Sequence, residues 1–218
     1  MAGVGASRPD GRLLGSAPGT IPELLGRFPI ETPPTRLAGA AVLILLRNGS
    51  KEIETLLIER TERELDPASG QVAFPGGRVD PADSSLLATA LRETEEEVGL
   101  GVEDLAGTPR FVRTYHASRF GLDVAAFTAE LGERGQPPHP RSRDEVAHVF
   151  WLPRSALGTT ERVRRPTSIG EVEVDATVYQ GHVLWGFTRR LLRDFFGHPV
   201  EAGPLPSGSA DTPGHATL

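Results

Sequence analysis

Apolar residues recur along the chain in two rhythms. Residues 37–46 are almost continuously apolar, as a strand buried on both faces should be. Asn48-Gly49 then supplies hairpin-turn chemistry, and 52–60 reads as the partner strand. Residues 66–70 read as a loop and 71–74 as a short strand stopped by Pro75-Gly76-Gly77. Further strands are predicted at 111–115, 122–129 and 147–152, and 171–179 alternates Val with charged residues as a half-exposed strand does. The helical period is clearest over 85–98, where Leu87, Leu91, Thr94 and Val98 fall at i, i+4, i+7 and i+11 and predict one buried stripe. Gly99 stands where a left-handed C-cap would end that helix. A closing helix is predicted over 183–196, from Leu184, Phe187, Leu191 and Phe195, and shorter helices at 21–28 and 154–157. Residues 29–35 form a Pro-containing lead and 132–143 an exposed loop. Strands with interspersed helices and no internal repeat predict an α/β fold, a mixed-sheet α/β/α sandwich.

Composition narrows the picture. The chain has 218 residues, which suits one domain with tails. Gly, Ser, Pro and Ala dominate both ends, so disordered tails are expected at 1–20 and 201–218 around a domain at 21–200. The absence of cysteine excludes disulfides, thiol nucleophiles, iron-sulfur clusters and thiolate zinc sites, leaving oxygen or imidazole as metal ligands. A net charge of -6 argues against nucleic acid as a partner, yet admits a small phosphate compound if a divalent cation bridges the repulsion. No apolar window reaches the roughly 18–20 residues of a membrane helix, so no membrane partner is expected. The first residues lack the apolar core of a secretory signal, which predicts a cytoplasmic protein. Their Arg, Ser and Ala, with Asp10 the only acid before Glu23, also suit a mitochondrial transit peptide.

The chemistry concentrates in 92–100. At about 100° per residue, Glu93, Glu96 and Glu97 share one helix face, opposite the stripe of Leu87, Leu91, Thr94 and Val98. Such acids repel one another, and more so where the site is desolvated. Arg92 pairs with Glu96 at i+4, but one guanidinium does not neutralise three carboxylates, and hard divalent cations favour such oxygen clusters. Mg2+ or Mn2+ is the natural candidate. A run of three Glu is more often a solvated helix face. Here Gly76-Gly77 lets backbone approach an ion, packing of the stripe fixes the acids, and Gly99 ends the helix one residue after Val98.

These residues resemble the Nudix hydrolase family. The second half of that family's box is matched by Arg92, Glu93, Glu96, Glu97, Gly99 and Leu100, with Thr94 where an aliphatic residue is usual. The first half, Gly77 and Asp83, joins it through one inserted residue. The coenzyme A pyrophosphatase branch tolerates that insertion, and Leu56-Leu57, Arg60, Gly70 and Phe74-Pro75-Gly76-Gly77 stand in that branch's order. Leu65 departs from it, occupying the place of a second arginine with Arg63 only nearby, and the following loop is one residue longer.

The resemblance implies a loop-helix-loop metal site and divalent-metal hydrolysis of a nucleoside diphosphate linked to another moiety. Glu93, Glu96, Glu97 and the Gly77 carbonyl would hold the metal. One of these glutamates or Glu145 would accept the water's proton, and Arg92, held by Asp83, would orient the carboxylates. Arg60, Arg63 and Arg78, with Gly76 and Gly77, are the candidates for substrate binding, each arginine alone being equally a surface ion pair. Coenzyme A or acyl-CoA is the first-choice substrate. ADP-ribose, nucleotide sugars or a damaged nucleotide are the alternatives, and the intact acids speak against a non-catalytic nucleotide sensor. His116 reads as a surface histidine with substrate contact second, and Trp185 resembles a position the branch uses. Arg162, Arg164 and Arg165 read as solvated charge, with contacts in a homodimer second.

Overall fold

In the computed structural model, β1 (Ala38–Asn48) and β2 (Ile53–Arg60) form the hairpin expected around Asn48-Gly49, but they pair only from Asn48↔Ile53 to Leu46↔Thr55. The strands then part, and one segment fills the fork while changing sides. Within it, β3 (Val72–Ala73) pairs with Glu59 and Ile58 of β2. The Pro75 carbonyl accepts from Leu43 N–H, and β4 (Gly76–Arg78) pairs with Ala40–Val42 of β1. The glycines expected to stop a strand are therefore themselves a strand. The outer edge of β2 is taken by β7 (Val146–Pro153), and that of β1 by its parallel neighbour β6 (Leu122–Glu130). With β5 (Arg110–Ala117) beside β6, the mixed sheet has seven strands. The structure describes residues 19–30, 38–63, 69–118, 121–167 and 170–198. The expected tails, apart from Gly19 and Thr20, lie outside the described residues, as do 31–37 and Leu65 with most of the loop around it.

The apolar run of β1 serves two cores. Ala41, Leu43 and Leu45 pack with Ala90 and Val98 of α2 (Leu86–Val98), while Ile44 and Leu46 pack on the other face. There they meet Ile21 and Leu24 of α1 (Ile21–Leu25) and Leu191 and Phe195 of α3 (Gly186–Phe195). This is the α/β/α sandwich. Thr20, expected in the tail, caps α1 in a reciprocal box with Glu23. Ser85 caps α2 by accepting from Ala88 N–H, and Gly99 ends it at φ 73°, where a side chain would be strained.

Against α3 and the end of the main sheet lies a second sheet of β8 (Glu161–Thr167), β9 (Gly170–Tyr179) and β10 (His182–Trp185). The basic run at Arg162 to Arg165 lies on β8, where Arg162 stays largely exposed, as solvated charge does, and bonds to Glu173 at 3.2 Å and Asp175 at 3.0 Å across the ladder. One expectation is corrected here: the first part of the predicted closing helix is β10, so Trp185 precedes α3. Gln180 and Gly181, both at positive φ, turn β9 into β10, and the helix begins only at Gly186. His182 ties this hairpin to the main sheet through Glu59 at 2.8 Å and a parallel stack on Phe150 at 3.9 Å. Among the described residues no helix is long and apolar enough to cross a membrane.

Candidate active site

The fork places β4 against α2, and the acids of α2 meet the glycine backbone there. Arg92 organises the arrangement. Its Nε donates to Asp83 Oδ1 at 2.9 Å and its Nη2 to Asp83 Oδ2 at 3.0 Å. Its Nη1 donates to Glu93 at 2.9 Å and Glu96 at 3.0 Å, and Nη2 reaches the Arg78 carbonyl at 3.2 Å. The residue inserted between Asp83 and Arg92 leaves this bidentate pair intact. Asp83 also accepts from Thr89 Oγ1 at 2.8 Å and Asp80 N–H at 2.9 Å, so each of its oxygens faces donors. The bond to Arg92, first among these, holds the Asp83 carboxyl far below the usual range, and the same bond holds the guanidinium above its own. An amide in place of Asp83 turns one acceptor into a donor facing donors. Asp83→Asn is therefore expected to loosen Arg92 and lower kcat about 10-fold, which steady-state kinetics would show.

The three glutamates do not share one environment, which corrects the expectation of a common acidic face opposite the core. Glu97 falls within about 20° of Ala90, seven positions earlier, and Ala90 is fully buried, so Glu97 turns into the contact with β4 and is 2% exposed. Its Oε2 accepts from Gly76 N–H at 3.0 Å, and Arg60 Nη1 lies 3.9 Å from Oε1. Burial pushes the Glu97 carboxyl up to about 8; the Gly76 bond and Arg60 oppose this, while the charges of Glu93 and Glu145 add to it. Glu93, half-buried, is also pushed up, chiefly by burial. Glu96 is largely exposed and engaged by Arg92. Leu87 and Leu91 are only partly buried, so the packed stripe is centred on Ala90, Thr94 and Val98.

Backbone approaches closely at the glycines. A Cβ on Gly77 would fall on the Glu93 carboxylate, and one on Gly76, at φ 146°, would fall on the main chain of Ala41 and Val42. Glu145 stands exposed on the turn before β7, with its charge felt at both Glu93 and Glu97. Arg63 donates to the Asp144 carbonyl at 2.5 Å, and the Arg78 side chain is exposed. His116 is exposed and pairs with Asp123 at 2.8 Å at the β5–β6 turn. Among the described residues no three acidic or histidine side chains already converge as metal ligands. The donor set nevertheless fits a hard divalent cation: two carboxylates raised chiefly by burial lie beside the backbone of Gly76 and Gly77, which carry no side chain of their own. The Gly76 N–H bond, the Thr89 support of Asp83 and the hold on the Glu145 turn were not visible in sequence spacing, since each joins separate elements.

Residues 37–169 match the family model of the NUDIX domain. The "Uncharacterized Nudix hydrolase NudL" of Yersinia enterocolitica is 45% identical over 184 residues, covering 80% of this chain and 90% of that protein. The "Peroxisomal coenzyme A diphosphatase ndx-8" of Caenorhabditis elegans is 38% identical over 131 residues, 56% of this chain and 53% of that one. The crystal structure of a NUDIX hydrolase from Alicyclobacillus acidocaldarius superposes with a TM-score of 0.52 at 19% identity, over 77% of this chain and 94% of that one, and shares the fold. An acidic helix locked by Arg92 to Asp83 and set against a glycine strand, in a chain that matches the domain model across its main sheet, makes this protein a member of the Nudix hydrolases, which act on pyrophosphate bonds.

Proposed function

We propose that this chain hydrolyses the diphosphate of coenzyme A or acyl-CoA, with Mg2+ or Mn2+, to 3',5'-ADP and (acyl-)phosphopantetheine. The observation that carries this reading is the segment filling the fork. Phe74-Pro75-Gly76-Gly77, in the order set by Leu56-Leu57, Arg60 and Gly70, brings the glycine backbone to Glu97 and Glu93. Similarity to a protein named as a coenzyme A diphosphatase supports it.

Glu93, Glu96, Glu97 and the Gly77 carbonyl would hold the metal, which when bound neutralises diphosphate oxygens and lowers the pKa of a water. Arg92 keeps Glu93 and Glu96 oriented, with Asp83 fixing its fork. Arg60 sets a positive charge beside Glu97, where it also faces an incoming phosphate, and the exposed Arg78 offers a second. Glu145, solvent-facing and with its charge felt at Glu93 and Glu97, would accept the proton of the attacking water. The departure at Leu65 favours a second reading, a Nudix diphosphatase for ADP-ribose or nucleotide sugars, because it removes a cation from the branch's pattern. Chromatography of products after incubation with coenzyme A and saturating Mg2+ or Mn2+ separates the two. Release of 3',5'-ADP is expected, and its absence alongside turnover of ADP-ribose would establish the second.

A further inference from the structure

Thr61 and Arg63, just beyond β2, take hold of three consecutive backbone carbonyls on the turn before β7. Thr61 Oγ1 donates to the Arg143 carbonyl at 3.1 Å, Arg63 Nη2 to that of Asp144 at 2.5 Å, and Thr61 N–H to that of Glu145 at 2.9 Å. Arg63 is itself steadied, its N–H donating to Ser69 Oγ at 2.7 Å. The other end of the turn is tied to α2: Arg141 N–H donates to the Glu97 carbonyl at 2.9 Å and its guanidinium to Glu95 Oε1 at 3.3 Å. Within the turn, the amides of Glu145 and Val146 both donate to the Ser142 carbonyl. Residues 141–145 are thus strung between the end of the acidic helix and the end of β2.

We propose that Arg63 is a positioning residue that sets where Glu145 stands, and not a ligand of the substrate's phosphates. The inference rests on the reading of Glu145 as proton acceptor. Glu145 is exposed, so its side chain has little packing to aim it, and the place of its carboxylate is set by where the backbone holds its Cβ. A general base must come within about 2.6–3.2 Å of the proton it takes, and a misplacement of about 1 Å costs up to ~100-fold in rate. A guanidinium on a carbonyl is a charge-assisted bond, stronger than the two neutral bonds from Thr61. Arg63 is therefore the principal strut of the three.

The test compares Arg63→Ala, Arg63→Lys, Glu145→Gln and the double variant Arg63→Ala/Glu145→Gln, using coenzyme A and Mn2+. Arg63→Ala should lower kcat about 10- to 100-fold with KM within about twofold, and Arg63→Lys, which keeps a charged donor, should recover most of it. The double variant should be no slower than Glu145→Gln alone, because both changes remove the same function. In Arg63→Ala the amides of Glu145 and Val146 should exchange hydrogen at least about 10-fold faster with Tm little changed, a readout independent of substrate choice. Raised KM with intact kcat would make Arg63 a phosphate ligand and overturn the proposal. Unchanged exchange, or costs that multiply in the double variant, would overturn it as well. Full activity in Glu145→Gln would instead remove the reading of Glu145, whereas an impaired Glu145→Gln beside an unaffected Arg63→Ala would remove only the strut.

Discussion

Glu97→Gln should be close to inactive and yet more stable than the native protein when no metal is present. Gln keeps the shape of Glu97 and an oxygen that accepts from Gly76 N–H, so the contact between α2 and β4 survives. What disappears is the charge, and with it a ligand in the proposed site; turnover should fall on the order of 10²–10³-fold. Stability moves the other way. The native Glu97 carboxyl has a pKa of about 8 against 4.5 for the free group, so between those values the folded state holds a proton that the unfolded state releases. The metal-free native protein therefore loses stability as pH rises from about 4.5 to about 8, and the Gln variant escapes that loss. The cost of the buried charge at pH 8 is roughly 2–4 kcal/mol. Thermal melts of both proteins in chelator should converge near pH 5 and diverge near pH 8, with the variant higher. Added Mn2+ should then raise the native Tm at pH 8 and leave the variant nearly unmoved. A native protein indifferent to Mn2+ would refute the metal site.

The second large effect lies one strand away. In Gly76→Ala the new Cβ meets Ala41 O and, at 2.6 Å, Val42 Cα, both main-chain atoms in the middle of β1 that have no room to retreat. The backbone at φ 146° is also one that side chains rarely adopt. A penalty of about 3 kcal/mol or more is expected, lowering Tm by about 6–12 °C, with loss of activity as β4 shifts from Glu97. Gly77→Ala makes the instructive contrast. The atoms nearest its Cβ are those of the Glu93 carboxylate, the far end of a side chain held by Arg92 and not main chain, so the fold should persist while activity falls. Equal melting temperatures for the two variants would contradict this account of the glycines.

What the sequence disclosed and what it withheld follow from the range of the interactions involved. The apolar run of β1, the Gly99 cap and the Arg92–Glu96 pair are local, so their spacing was enough to place them. The difference at β10 arises where local signals are ambiguous. Leu184 and Phe187 suit a helical face, but the choice at Leu184 was made by pairing with Thr177 of β9. Glu97 was placed on the outer face because an amphipathic wheel assumes that acids point outward, and it cannot anticipate a backbone N–H waiting at Gly76. The hold of Arg63 on Asp144 spans 81 residues and has no signature in either segment alone.

The fork between β1 and β2 also bears on how the protein comes apart. Its filling is hydrogen-bonded to β2 through β3 and to β1 through β4, and the strands on either side are themselves flanked by β7 and β6. Such a wedge has no free end from which to fray, so releasing Gly76 and Gly77 means breaking ladders in the centre of the sheet. Loops at most active sites open at little cost, while this one is bound to the global unfolding of the domain. The same wiring makes its assembly depend on contacts between separate parts of the chain, since Gly76 and Gly77 meet Glu97 and Glu93 only once β4 is seated on β1.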